Sequence, residues 1–287
     1  MDKITILGHK NPDVDAVISG ILMKKLLNYY NYDAEFVIPD PYLDFETYEL
    51  LKKYNIDMKK YRRNLTKNDN LFFLVDHTNN NFAPNVIGII DHHNEILKNT
   101  PEYYINKNAS STAMIIYDLN PDIFDKNDLE LIVLANMVDT ASFNSSKTRK
   151  IDIAKTLEII KDNNLDYEKI YKDGLCLTPL NNLRDAAFTG YKKLNYKNKI
   201  IASSYVQVYG KDFDTIKIMT NIVKDELWLD KIDIYIFIVY DMQCLSTTVH
   251  FMSKKNVQKY KYNEYKSRKD AINGILERIK LWINLKN

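Results

Sequence analysis

Short apolar runs, each closed by a turn or an acidic residue, alternate with longer stretches of helical spacing along the first half of the chain. KITILG (3–8), AEFVIP (34–39), LFFLVD (71–76) and NVIGIID (85–91) are rich in branched and aromatic side chains and predict buried strands. AVISGILMKKLLNYY (16–30) and YELLKKYNI (48–56) carry apolar residues on one helical face and predict helices between those strands. STAMIIYDL (111–119), DLELIVLANMV (128–138), DIAKTLEIIKDNN (152–164) and DYEKIYKDGL (166–175) extend the pattern as a run of helices. Alternating strands and helices predict an α/β fold with a mostly parallel sheet flanked by helices.

The stretch CLTPLNNLRDAAFTGYKKL (176–194) breaks this rhythm with a proline, a glycine and an Asn pair. It marks a boundary, so the expected domains are 1–177, a linker with a short helix over 178–194, and a smaller C-terminal α/β domain over 195–287. In the latter, KIIASSYVQV (199–208), DIYIFIVYD (233–241) and LSTTVHFM (245–252) predict strands, and DTIKIMTNIVKDE (214–226) and SRKDAINGILERIKLWI (267–283) predict helices. The length of 287 residues agrees, being more than one core of ~100–200 residues needs.

Composition narrows the function classes. A formal charge of +2 gives no electrostatic footprint for stable nucleic-acid binding. No run approaches the ~18 apolar residues of a membrane span, and no targeting segment is expected. The two cysteines, Cys176 and Cys244, lack metal-ligand or disulfide-framework spacing; they read as buried thiols of a cytoplasmic protein.

The chemistry lies in histidine and aspartate. Four of the five histidines sit beside aspartates where strand-like runs end: GHKNPDVDA (8–16), VDHT (75–78) and DHH (91–93). In a parallel sheet those positions open onto the crevice beyond the carboxyl ends of the strands. Asp139, in MVDT, follows an apolar helix and adds a carboxylate from a separate element. Imidazole and oxygen ligands without thiolate suit Mn²⁺, Mg²⁺ or Co²⁺ better than a structural zinc. The set is large enough for two ions, which held ~3.5–4 Å apart can activate water and clamp the oxygens of a phosphoryl transfer. Asp13 or Asp15 can equally cap the following helix. His77 reads as a ligand, a partner of a ligand or a packed ring, and His250 as a packed sheet histidine. A phosphorylated substrate also needs positive charge. Lys147, Arg149 and Lys150 follow Asp139, Lys192 opens the second domain, and Arg268 and Lys269 follow Ser267, which can instead cap the last helix.

Taken in order, GHKNPDVDA, LVDH, IDHHN and VDT resemble the motifs of the DHH phosphoesterase superfamily, and within it most the manganese-dependent (family II) inorganic pyrophosphatases. The likeness covers residues 1–150. It implies a two-domain enzyme holding two Mn²⁺ ions on His9, Asp13, Asp15, Asp76, His92 and Asp139. By that resemblance, His9, Asp13 and Asp76 serve one ion and Asp15, His92 and Asp139 the other, with Asp76 bridging and His93 touching a small phosphorylated substrate. Ser267-Arg268-Lys269 matches a motif whose basic side chains close over phosphate in that family, and Lys192 is the nearest equivalent of another lysine used there. DTASFNSSKT (139–148) looks more like the branch acting on oligoribonucleotides and adenosine bisphosphate, whose usual GGGH run is missing here. Pyrophosphate is the first expectation; short oligonucleotides, a nucleoside 3′,5′-bisphosphate, polyphosphate or a catalytically silent regulatory role stay open. A homodimer is compatible with all of these.

Overall fold

Residues 3–40, 44–78, 83–93, 97, 100–145, 148–175, 177–196, 199–210, 212–229, 231–253, 257–262, 274 and 277 are described by the computed structural model. Two compact units divide between Leu175 and Cys176. In the first, strands β1 (Ile4–Leu7), β2 (Ala34–Val37), β3 (Leu71–Val75), β4 (Val86–Asp91) and β5 (Tyr103–Asn106) form one sheet in the order β2-β1-β3-β4-β5. Every pairing in it is parallel. Helices α1 (Val14–Tyr29), α2 (Phe45–Lys53), α3 (Thr112–Leu119), α4 (Lys126–Asp139), α5 (Lys150–Asp162) and α6 (Tyr167–Gly174) accompany it.

This strand order fixes where a site can lie. The chain leaves β1 for β2 on one side and returns to β3 on the other, making β1/β3 the topological switch point, where open parallel sheets bind ligands. Ile6, Phe36, Phe73 and Ile90 of the sheet bury against Val17, Ile18 and Leu22 of α1 and Ile132 and Val133 of α4 in one core. Gly20 on α1 allows the helix to lie directly on the ring of Phe36, which an added methyl would strike.

The predicted strands and helices of this unit are present. The structure adds β5, a short edge strand whose Tyr-Tyr-Ile-Asn sequence has little apolar patterning to announce it.

In the second unit, β6 (Lys192–Tyr196), β7 (Lys199–Val208), β8 (Ile234–Asp241), β9 (Ser246–Met252) and β10 (Val257–Tyr262) form a sheet in the order β10-β9-β8-β7-β6. Only β7 and β8 are parallel to each other. Helices α7 (Leu183–Ala187) and α8 (Phe213–Leu229) belong to this unit. The stretch 178–194, expected as a linker with a short helix, contains that helix, α7, and is built into the second unit. Thr178 N–H donates to Gln207 O (2.8 Å), Ala186 and Ala187 are buried, and β6 begins at Lys192. Asn182 caps the start of α7, its side chain accepting from the N–H groups of Arg184 and Asp185. Strands β6 and β10 were not predicted, because KKLNY and VQKYKY contain no continuous apolar run. Of the expected last helix, Gly274 and Glu277 are helical and the remainder, with Ser267, Arg268 and Lys269, lies outside the described residues. Among the described residues no helix is long and apolar enough to cross a membrane.

Candidate metal centre

Adjacent strands β1, β3 and β4 end on the same edge of the sheet and deliver His9, Asp76 and the His92-His93 pair to one place. Helix α1 contributes Asp13 and Asp15 from its first turn, and α4 contributes Asp139 from its last. Asp13 resolves one ambiguity by capping α1, its Oδ1 accepting from Ala16 N–H at 3.2 Å. Asp15 is buried and reaches across to a different helix, accepting from the N–H groups of Thr112 (2.7 Å) and Ala113 (3.0 Å) at the start of α3.

The carboxylate of Asp76 lies between two imidazoles. Its Oδ2 is 3.6 Å from His9 Nε2 and its Oδ1 is 3.4 Å from His92 Nε2. Around His9 Nε2 stands also Asp13 Oδ1 at 3.5 Å; around His92 Nε2 stand Asp139 Oδ2 at 3.2 Å and Asp15 Oδ2 at 3.9 Å. Two groups thus have donor atoms within 4.8 Å of one another, His9-Asp13-Asp76 and Asp15-His92-Asp139; a third, Asp76-His92-His93, overlaps them. Each ligand-type ring is oriented from behind. His92 Nδ1 bonds Ala109 O and His9 Nδ1 bonds Lys10 O, both at 3.0 Å, which leaves each Nε2 aimed at the carboxylates.

Four carboxylates so close repel one another and are poorly hydrated. Burial pushes Asp15 up to about 6, with the charge of Asp139 adding to it. Burial, then the charges of Asp15, Asp13 and Asp139, hold Asp76 well above the usual carboxylate range. His92 stands at about 9: burial opposes its charge but is outweighed by Asp139 and Asp15. His9 is likewise raised to about 9, with Asp13 overcoming burial. Asp139 occupies the negative end of the α4 dipole, with no basic residue in that last turn to offset it. His92 Nε2 is buried and makes no hydrogen bond among the described residues. Such a set is satisfied by cations. Four carboxylates and neutral imidazoles balance the charge of two divalent ions, and the nitrogen and oxygen donors suit Mn²⁺, Mg²⁺ or Co²⁺.

Backbone strain gathers at the same place. Asp76 has φ +64°, Asn11 of the loop leading into α1 has φ +53°, and Ala141, Ser142 and Phe143 after Asp139 lie between +47° and +68°. Left-handed backbone at non-glycine residues costs free energy and persists where surroundings enforce it. Met137 O enforces it by accepting from Ser142 N–H at 2.7 Å.

His93 stands apart from the two ligand-like imidazoles. Its Nδ1 is bonded to Asp91 Oδ1 at 2.8 Å, its side chain is 34% exposed, and its ring meets that of His92 edge-on at 4.4 Å. Asp91 thus engages Nδ1, and Nε2 is the other ring nitrogen. His77 bonds Val75 O through Nδ1 (3.1 Å) and joins none of the three groups. His250 is buried in β9 of the second unit. Lys192 is exposed at the start of β6, and Lys147 lies outside the described residues. The segment 109–113, which leads into the first residues of α3 and contacts Asp15, Asp76 and His92, was not anticipated, because its partners are remote in sequence.

Residues 3–141 match the model of the DHH family, N-terminal domain. Two curated relatives are named "Probable manganese-dependent inorganic pyrophosphatase". That of Lactobacillus helveticus is 27% identical over 185 residues, 59% of this chain and 58% of its own length; that of Bacillus licheniformis is 28% identical over 170 residues, 55% of each. The chain thus spans little more than half the length of the curated relatives it matches. Among solved structures, a Methanococcus jannaschii protein described as a candidate family II inorganic pyrophosphatase shares the fold, with a TM-score of 0.58 and 20% identity over 88% of this chain and 87% of that one. An exopolyphosphatase-related protein of Bacteroides fragilis has a TM-score of 0.50 and 16% identity over 99% and 93%. The likeness to the DHH family thus rests on residues 3–141, the N-terminal part of the chain.

Proposed function

We propose that this chain is a metal-dependent phosphohydrolase that binds two Mn²⁺ ions and hydrolyses inorganic pyrophosphate to phosphate. The observation that carries the reading is Asp76, whose two oxygens face two different imidazole-carboxylate groups. His9 and Asp13 complete one ion site; Asp15, His92 and Asp139 complete the other. When bound, the ions supply Lewis acidity and activate water for attack on phosphorus. The protein's own part is to hold donors in place and bind substrate. Asp91 orients His93 so that Nε2 can donate to a phosphate oxygen or the leaving group. Lys147, Lys192, Arg268 and Lys269 are the basic side chains proposed to neutralise the phosphates. The names of the curated relatives support both Mn²⁺ and pyrophosphate.

The test is phosphate release in Mn²⁺ from pyrophosphate, a dinucleotide and adenosine 3′,5′-bisphosphate. The reading requires pyrophosphate to be the best substrate. Preference for either nucleotide refutes the substrate, and release from none refutes the activity.

A further inference from the structure

We infer that Thr112 is a positioning residue whose hydroxyl sets the plane of the Asp76 carboxylate, so that each oxygen serves a different ion. This rests on the two-ion reading above. Thr112 is fully buried, and its Oγ1 donates to Asp76 Oδ1 at 3.0 Å. A carboxylate oxygen has two lone pairs, so this bond leaves one on Oδ1, on the side where His92 Nε2 stands at 3.4 Å. Oδ2 accepts no hydrogen bond among the described residues and faces His9. A carboxylate without that tether can turn about its last bond and present both oxygens to one ion.

The same segment disposes Asp15. Thr112 N–H occupies one lone pair of Oδ2, while Ala113 N–H (3.0 Å) and Ser19 Oγ (3.2 Å) occupy both on Oδ1. One lone pair on Oδ2 remains for an ion. Ala109 O, three residues earlier, fixes the ring of His92. The segment is itself anchored from α5, because Ser110 Oγ donates to buried Asp152, which also takes Arg149 Nε and Nη2 at 2.7 Å each. Capping of α3 does not need the Thr112 hydroxyl, since Ser111 performs it through Met114 N–H.

The test compares wild type with Thr112→Val, which keeps the shape and removes the hydroxyl, and with Thr112→Ser, which keeps the hydroxyl. Thr112→Ala is measured alongside in case valine is not accommodated. Mn²⁺ affinity is read from the EPR signal of the free ion, and pairing from the low-temperature spectrum of an exchange-coupled Mn²⁺ pair. Loss of a group that orients a metal ligand weakens binding by about 10–100-fold. That loss is expected for Thr112→Val and Thr112→Ala, with a diminished pair signal, and Thr112→Ser is expected to restore both. Wild-type affinity and spectrum in the valine and alanine variants overturn the inference while leaving the two-ion reading standing. So does a serine variant as impaired as they are. Wild type that binds no Mn²⁺ overturns the parent reading, and this one with it.

Discussion

Replacing Asp76 with asparagine separates a metal centre from an ordinary buried cluster, because the two respond in opposite directions. With Mn²⁺ at 100 times its Kd, native-state binding stabilises by about 2.7 kcal/mol. For a unit of 175 residues, with ~2–4 °C per kcal/mol, the melting temperature rises by about 5–11 °C. Asp76 is 2% exposed and stands 3.6 and 3.4 Å from two imidazoles. Removing one partner from a buried charged set costs roughly 3–5 kcal/mol. At ~1.4 kcal/mol per decade, that is a loss of about 10²–10³-fold or more in Mn²⁺ affinity. At the same Mn²⁺ concentration, the variant then gains only ~0.4 kcal/mol or less, a shift of about 1–2 °C. Without metal the sign reverses. Burial and three neighbouring carboxylates raise the Asp76 carboxyl, so a neutral amide relieves repulsion and the metal-free variant melts no lower than wild type at pH 8. Differential scanning fluorimetry with Mn²⁺ and with chelator reads both quantities, and His250→Gln, in the second unit, serves as the control with an undiminished Mn²⁺ shift. An Asp76→Asn variant that keeps the full shift refutes the assignment.

The titrating groups predict how metal-free stability varies with pH. His9 and His92 are raised to about 9 from an unfolded ~6.5, and Asp15 to about 6 from ~3.9, so each contributes stability below its unfolded value and loses it as pH rises through the folded one. Metal-free protein should therefore melt progressively lower from about pH 5 to 9, with Mn²⁺ flattening the slope by taking the place of protons; a metal-free melting temperature that climbs across this window contradicts the cluster's electrostatics. His93→Ala should lower phosphate release by about 10²–10⁴-fold while leaving Mn²⁺ stoichiometry unchanged, and loss of a bound ion would show His93 to be a ligand instead. Far from the site, Asp69 accepts from Thr5 Oγ1 (2.7 Å), from Arg63 Nη1 (2.9 Å) and Nη2 (2.7 Å), and from Thr66 N–H (2.6 Å); Asp69→Ala should cost about 3 kcal/mol without altering the Mn²⁺ shift, measured by chelated and Mn²⁺-loaded melts. Arg63 foremost holds that carboxyl below the usual range, so its stabilisation is present above about pH 4 and fades as pH falls through the lower folded value; an acid transition identical in wild type and Asp69→Ala would count against this.

Residues that act through local pattern were readable in the sequence. Strands β1, β3 and β4 announce themselves by unbroken apolar runs, and the histidines and aspartates that close them fall at the carboxyl edge by the geometry of parallel sheets. What depends on contacts remote in sequence was not readable. Asp15 and the N–H groups of α3 meet across nearly a hundred residues, so an aspartate that caps its own helix and one that reaches across to another look alike in the one-dimensional text. Strands β5, β6 and β10 owe their pairing to neighbours rather than to hydrophobic periodicity, which tertiary context overrides. The 178–194 stretch misleads for the reverse reason, because turn-forming residues there punctuate a folded segment.

The central claim is that Asp76 stands between two cations, and anomalous diffraction from crystals grown with Mn²⁺ tests it directly. Two peaks are predicted ~3.5–4 Å apart, one bounded by His9 and Asp13 and the other by Asp15, His92 and Asp139, with an oxygen of Asp76 on each. No peak among these side chains, or a single ion held without Asp76, contradicts the account.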